Sequence, residues 1–229
     1  RTAYGVQRRI LKKGKDKLKD QSYFLYRLTQ KQLKHILFPL GNYTKIQVRE
    51  LAREMKLPVA DKPGSQEICF LPDNDYRSFL SSRVNAKHRN LQAGPVVDKE
   101  GRPLGRHKGS AFYTIGQREG LGIAMGYPIY VIDIDHKANR IVVGNKQEVY
   151  SRSFLVEKPH FISSPIKNKV AVGVKIRYNS REERAQIEPF KDTLKVTFSK
   201  PQFAITPGQS AVFYQKDTIL GGGIISRVS

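Results

Sequence analysis

Val170-Ala171-Val172-Gly173-Val174-Lys175-Ile176-Arg177 alternates large apolar residues with small or charged ones. Successive side chains on a strand point to opposite faces. Val170, Val172, Val174 and Ile176 therefore share one face, and Lys175 and Arg177 share the other. Leu194, Val196 and Phe198 repeat the pattern, as do Ala211 and Phe213. Gly221-Gly222-Gly223 precedes Ile224-Ile225, as expected where a last strand bends to close a small barrel. The strand lengths and short turns predict an antiparallel barrel of about six strands over residues 151–229.

Upstream of the barrel the pattern stays β-rich but breaks into hairpins. Gly94–Leu104 reads as one hairpin with its turn at Lys99–Gly101. Ile129–Ile134 and Arg140–Val143 form another, turning through Asp135–Asn139. Between them, Tyr113–Ile123 carries glycines at 116, 120 and 122. It has no G-x-G-x-x-G spacing and no helix after it, so it is not a nucleotide-binding loop. The glycines are expected to permit tight bends beside Cys69 or a ligand.

The first third is helix-forming. Residues 6–13 predict a short edge strand, followed by the basic loop Lys12–Lys19. Asp20 is placed to cap a helix through Gln21–Leu28 with Phe24, Leu25 and Leu28 inward. Thr44, with Gln47 three residues on, predicts a capping box. The helix that follows is expected to bury Val48, Leu51, Ala52 and Met55. A third helix is expected over Asp75–Ser82 with Tyr76, Phe79 and Leu80 inward. The fold class is therefore α+β, with expected domains at 1–72, 73–150 (a small central β-containing domain) and 151–229. Residues 1–62 read as an α-rich segment, small for an independent domain and expected to be the tail of a larger one, and the start at Arg1 predicts a fragment or processed product.

Charge narrows the function. The chain has 41 Lys and Arg against 20 Asp and Glu, a net charge of +21. Residues 1–35 alone carry 11 Lys and Arg against 2 Asp. An excess of this size predicts a polyanionic partner, of which nucleic acid is the commonest. A membrane surface is not expected, because the basic residues do not lie on an amphipathic helix with bulky apolar anchors. No apolar run approaches the roughly 18 residues a span needs. No metal-ligand spacing is readable among one Cys and five scattered His.

Cys69, in Gly64-Ser65-Gln66-Glu67-Ile68-Cys69-Phe70-Leu71, is the only cysteine. A single thiol excludes an internal disulfide and suits a reducing compartment. Flanked by Ile68 and Phe70, it reads either as a small buried hydrophobe or as a nucleophile activated by its surroundings. A Cys–His hydrolase needs a histidine beside it that no local signature supplies.

Five stretches, in order, resemble the tRNA-specific 2-thiouridylase family. They are Lys19–Leu25, Ser65–Phe70, Tyr113–Ile123, Thr206–Tyr214 and Leu220–Ile225. The resemblance implies an N-terminal ATP-pyrophosphatase domain, a small central β-containing domain and a C-terminal barrel. It implies replacement of the C2 oxygen of a tRNA wobble uridine by sulfur, after ATP-dependent adenylation. By resemblance Cys69 carries the sulfur as a persulfide. Lys19, Asp20, Gln21, Arg177, Tyr178 and Gln209 match tRNA-contact positions. Implied partners are the anticodon region of tRNA and a sulfur-donor protein, in the cytoplasm or an organelle. ATP with magnesium belongs to the whole enzyme: the family's Ser-Gly-Gly-x-Asp-Ser loop and its second catalytic cysteine do not occur in these 229 residues. A non-catalytic tRNA-binding module is the competing reading, and a purely structural fragment a third.

Overall fold

The alternating last third closes as its pattern requires. The computed structural model describes residues 8–62, 71, 75–85 and 88–228. In chain order it has helices α1 (Gln30–Leu33), α2 (Lys45–Glu54) and α3 (Tyr76–Arg83), then strands β1 (Gly94–Val97), β2 (Pro103–His107), β3 (Tyr130–Asp135) and β4 (Arg140–Gly144). The barrel strands follow: β5 (Tyr150–Phe161), β6 (Val170–Lys175), β7 (Glu183–Phe190), β8 (Thr193–Phe203), β9 (Ser210–Gln215) and β10 (Thr218–Val228). Two compact units result, one of Arg1–Lys62, Arg152–Pro201 and Pro207–Ser229, the other of Pro63–Ser151 and Gln202–Thr206.

In the first unit, six strands form a closed barrel in the order β10-β5-β8-β7-β6-β9. Val172, Val174, Ile176, Ile187, Leu194, Val196 and Phe198 fill it, and the Phe154 and Phe198 rings meet at 5.8 Å. Strand β9 departs from the expected half-exposed pattern: Ala211, Val212, Phe213 and Tyr214 are all buried. The outward pair, Val212 and Tyr214, is covered by Leu11, Tyr23, Tyr26 and Leu33 from the N-terminal segment. Among the described residues, that segment has one isolated antiparallel β-bridge to the barrel, Lys12 to Thr218, beside its side-chain bonds. The edge strand foreseen over 6–13 is thus one bridge, with residues 6 and 7 outside the described residues.

The helix expected over Gln21–Leu28 is instead a 3-10 turn, Ser22–Phe24. Two causes act together. The Asp20 carboxylate accepts from the Gly14 and Ser22 backbone N–H groups (2.9 and 3.1 Å), which bends the chain back on itself. Tyr23, Phe24 and Tyr26 are poor helix formers, and tertiary bonds claim two of them. The Tyr23 hydroxyl donates to the Ser210 carbonyl (2.8 Å), and the Tyr26 hydroxyl lies 3.1 Å from Ser210 Oγ. The expected inward face is exchanged: Tyr23 and Tyr26 are buried, and Phe24 is 60% exposed.

Local signals further on are read correctly. Thr44 and Gln47 cap α2 reciprocally, and Thr29 and Gln32 do the same for α1. The stripe expected to be buried on α2 is not: no α2 residue is buried, and Met55 is 70% exposed. Periodicity marks an apolar face without specifying how much of it is covered: Val48 and Ala52 are half-buried, and Leu51 and Met55 are exposed.

The second unit holds a four-stranded sheet, β2-β1-β4-β3, with β1 and β4 parallel and the other pairs antiparallel. Both hairpins turn where expected. Asp98 Oδ1 accepts from Arg102 N (2.8 Å) across the first turn, and Asp135 Oδ1 from Ala138 N (2.9 Å) in the second. Val96, Tyr113, Leu121, Ile129, Val131, Ile141 and Val143 form its core. Gly116, Gly120 and Gly122 all have positive φ, so the glycine run does supply bends. A Cβ at Gly116 would lie 2.6 Å from the Ala204 Cβ. Gln117 ties the loop, accepting from Thr114 N (3.1 Å) and donating to the Glu119 carbonyl (2.9 Å). The helix expected over Asp75–Ser82 is α3, capped by Asp75, but Tyr76 is exposed rather than inward, its hydroxyl donating to the Phe112 carbonyl (3.2 Å).

His107 is 1% exposed in this unit. Its Nδ1 accepts from Gly109 N (3.0 Å) and its Nε2 faces the Asn139 carbonyl at 2.9 Å. Burial lowers its pKa below the ordinary 6.5; the Asn139 carbonyl opposes this and the Arg106 charge adds to it. The folded state therefore prefers the neutral ring, and the unfolded chain binds the proton first. This stabilisation is complete above 6.5 and is lost as pH falls through 6.5 toward the folded value. Melting temperature is expected to drop between about pH 7.5 and about pH 5, and the drop to shrink in His107→Leu. An equal drop in both proteins would contradict this assignment.

Candidate nucleic-acid interface

Two aspartates organise the lysine-rich loop of the first unit. Asp16 accepts from Leu18 N and, through its other oxygen, from Lys45 N at the start of α2 (3.0 and 2.9 Å). The Lys45 bond is the largest cause holding the Asp16 carboxyl below its usual range. Asp20 accepts from Gly14 and Ser22 N–H groups on Oδ1 and from Ser22 Oγ on Oδ2 (2.7 Å). Its carboxylate is thus occupied with the chain's own donors. Lys12, Lys15, Lys17, Lys19 and Gln21 are exposed around this frame. Lys13 is committed inward: its ammonium pairs with Glu182, donates to the Lys216 carbonyl (2.9 Å) and sits 4.6 Å above the Tyr214 ring. A cleft of about 700 Å3 opens beside the loop, lined among others by Lys12, Lys19, Asp20, Gln21, Phe38 and Tyr43.

The turn after Asp20 meets the barrel through aromatic rings. Tyr178, just past β6, packs against Phe24 (centroids 4.8 Å, planes at 33°) and against Tyr23 (6.4 Å). Tyr23 meets Phe24 edge-on at 5.4 Å. Arg177 is half-buried here. Burial lowers its pKa, and the neighbouring Tyr23 opposes that. The Tyr23 phenol is pushed up to about 12, chiefly by burial, so it remains a neutral donor to Ser210. Ser180 fixes the turn that carries Arg177 and Tyr178: its Oγ donates to the Arg177 carbonyl at 2.9 Å. Lys175 places its ammonium 5.8 Å from the Tyr178 ring centre.

Gln209 is exposed on the turn into β9, where Gly208 has φ +87°. Its carbonyl accepts from Ile225 N (2.8 Å), and the next residue, Ser210, is the acceptor for Tyr23. Tyr23, two residues after Gln21, therefore touches Tyr178 and Ser210, the chain neighbours of Arg177 and Gln209. Cys69 lies outside the described residues. Among the described residues, no group of three or more His, Cys, Asp or Glu is placed to hold a metal ion. Sequence reasoning missed Tyr23, Phe24 and Lys175. The available signal was three aromatics within Tyr23–Tyr26 directly after a lysine run, which a helical pattern disguised as core.

The arrangement suits single-stranded nucleic acid. Exposed lysines attract phosphates, ring faces accept bases, and Gln and Arg side chains offer donors to base edges. Family models match in succession: "tRNA methyl transferase HUP domain" over residues 2–73, "tRNA methyl transferase PRC-barrel domain" over 78–145 and "Aminomethyltransferase beta-barrel domain" over 151–225. The chain is 53% identical over 224 residues to tRNA-specific 2-thiouridylase MnmA 2 of Thermoanaerobacter sp. (strain X514), covering 97% of this chain and 61% of that protein. It is 50% identical to tRNA-specific 2-thiouridylase MnmA of Natranaerobius thermophilus (97% and 60%) and 49% identical to that of Halothermothrix orenii (95% and 61%). The chain thus spans about three fifths of the length of these curated relatives.

Proposed function

The chain belongs to the tRNA-specific 2-thiouridylase family, and we propose that it supplies the RNA-holding and sulfur-delivering part of a tRNA-uridine 2-sulfurtransferase. The substrate is the anticodon region of tRNA, and the reaction replaces the C2 oxygen of the wobble uridine with sulfur. Residues 1–72 bring the persulfide cysteine, 73–150 the central domain and 151–229 the barrel that reads the loop.

The uracil C2 oxygen is a poor leaving group, and ATP bound by the whole enzyme would activate it by adenylation, so that it could depart as AMP. Cys69, loaded as a persulfide by a sulfur-donor protein, offers its outer sulfur to C2. AMP leaves, and C2 stays joined to Cys69 through two sulfurs. A second thiol must then attack Cys69 Sγ, forming a disulfide and releasing the thiocarbonyl. These 229 residues contain neither that second thiol nor the ATP-binding loop, so their own part in the reaction is to hold the RNA and to carry the sulfur on Cys69.

The observation that supports the reading is the meeting of Asp20-Gln21, Arg177-Tyr178 and Gln209-Ser210 around Tyr23 on a chain of charge +21. In it, Asp20 shapes the loop, Lys19 and Gln21 stand out from it, and Arg177, Tyr178 and Gln209 face the RNA. Arg177→Ala is expected to weaken binding of cognate tRNA about tenfold or more, the usual loss for a charge-assisted hydrogen bond. Filter binding at physiological salt with excess non-cognate RNA measures this, with circular dichroism to check folding. Affinity of the folded variant equal to that of the parent would reject the interface. An affinity that the non-cognate RNA competes away would reduce the chain to a generic basic surface.

A further inference from the structure

We infer that Phe24 is a stacking face for an unpaired RNA base, with Tyr178 as the second ring of the step and Lys175 placed for the adjoining phosphate. This rests on the RNA reading above and deepens it by naming the residue and the group it takes.

An exposed phenylalanine alone carries little meaning. Phe24 differs in being exposed and held at once. It lies on a one-turn 3-10 segment whose flanking residue Tyr23 is anchored to the barrel by its hydroxyl. Tyr178 is 4.8 Å from its ring centre at a shallow 33°, and Tyr23 meets it edge-on at 84°. Two sides of the ring are fixed, and 60% of the residue remains open. A ring ordered in advance loses little entropy when a flat partner arrives.

Charge selects the partner. Lys175 sits over the Tyr178 ring at 5.8 Å, Arg177 lies beside Tyr23, and the lysine run Lys12–Lys19 leads into the turn. A ligand with flat apolar groups on a polyanionic backbone satisfies all of these, and single-stranded nucleic acid is that ligand. A duplex keeps its bases stacked on one another and offers Phe24 no face.

The chain contains no tryptophan, so Phe24→Trp introduces one fluorescent ring at the site. Titration with a tRNA anticodon stem-loop is expected to quench its emission strongly. A fully paired RNA of equal charge is expected to leave it unquenched. Phe190→Trp is the control, because Phe190 closes β7 at the end away from the Arg177–Ser180 turn, roughly 20 Å along the strand. It should not be quenched by either RNA. Phe24→Leu keeps an apolar cover on Tyr178 but removes the flat face. It is expected to weaken stem-loop binding about tenfold, with duplex binding and melting temperature unchanged.

The outcomes separate. Stem-loop preference without quenching at Phe24→Trp, or with undiminished binding by Phe24→Leu, overturns the stacking inference and leaves the RNA reading standing. Absence of any stem-loop preference in the parent chain overturns both.

Discussion

Cys69→Ser, in the chain joined to an ATP-pyrophosphatase domain of the family, is expected to reduce tRNA thiolation by about a thousandfold or more. Serine keeps the size of the side chain and loses its ability to hold a sulfane sulfur. No other residue of the chain can substitute, because Cys69 is its only thiol. Affinity for tRNA should stay within about twofold of the parent, since serine nearly preserves the size of the side chain and none of the residues proposed to grip RNA is changed. Activity and binding are thus predicted to separate completely in this variant. Thiolated nucleoside, quantified after digestion of the tRNA, reads the first, and filter binding reads the second. Thiolation at the parental rate would remove Cys69 from the chemistry and leave the chain as a tRNA-binding module. A parallel loss of binding and activity would instead make Cys69 a structural residue.

Gly221→Ala is expected to destabilise the first unit by about 3 kcal/mol or more. A Cβ there would lie 2.0 Å from the His160 carbonyl oxygen and 2.9 Å from the Phe161 Cα, both backbone atoms of β5. The residue also has φ +154°, which side chains other than glycine rarely adopt. Strand β10 shifts register between Ile219 and Gly221 and again between Gly222 and Ile224. The glycine run is where it bends from β9 across to β5, so the barrel cannot close past a side chain at this point. For a chain of this size the expected fall in melting temperature is about 6–12 °C, or loss of folded protein altogether. Gly101→Ala is the comparison: its φ is +84°, nothing lies within 4 Å of the added Cβ, and only about 1 kcal/mol of backbone strain is expected. Gly222→Ala adds a functional consequence, because its Cβ would approach the Tyr26 ring at 2.8 Å. Tyr26 helps hold the turn that presents Phe24, so RNA binding should weaken together with stability. Gly221→Ala melting alongside the parent would show that β10 closes the barrel in some other way.

The barrel and both hairpins were legible because their signals are local. Alternation in Val170–Arg177 names the inner face, and Lys99–Gly101 and Asp135–Asn139 announce their turns. The Thr44–Gln47 box starts α2 where the side chains alone would place it. What could not be read depends on residues far apart in the chain. Tyr23 and Ser210, 187 positions apart, decide that Gln21–Leu28 is a turn rather than a helix. The same contact buries the outer face of β9, which strand alternation assigns to solvent. Lys13 belongs to the basic loop Lys12–Lys19, yet Glu182, 169 residues on, draws it inward. The interface was half legible. The family resemblance picked out Gln21, Arg177, Tyr178 and Gln209, but only the fold shows Tyr178 packed on Tyr23 and Phe24 and Ser210 bonded to Tyr23, with Phe24 turned outward and Asp20 turned in.

The most direct measurement is photo-crosslinking of the chain to a tRNA anticodon stem-loop carrying a photoreactive uridine, moved position by position through the loop. Tryptic mass spectrometry then identifies the attached peptides. Attachment is expected at Tyr23–Phe24 and at Arg177–Tyr178 from loop positions, and none from stem positions. Attachment confined to other surfaces, such as the β7–β8 hairpin around Phe190–Thr193, would contradict it.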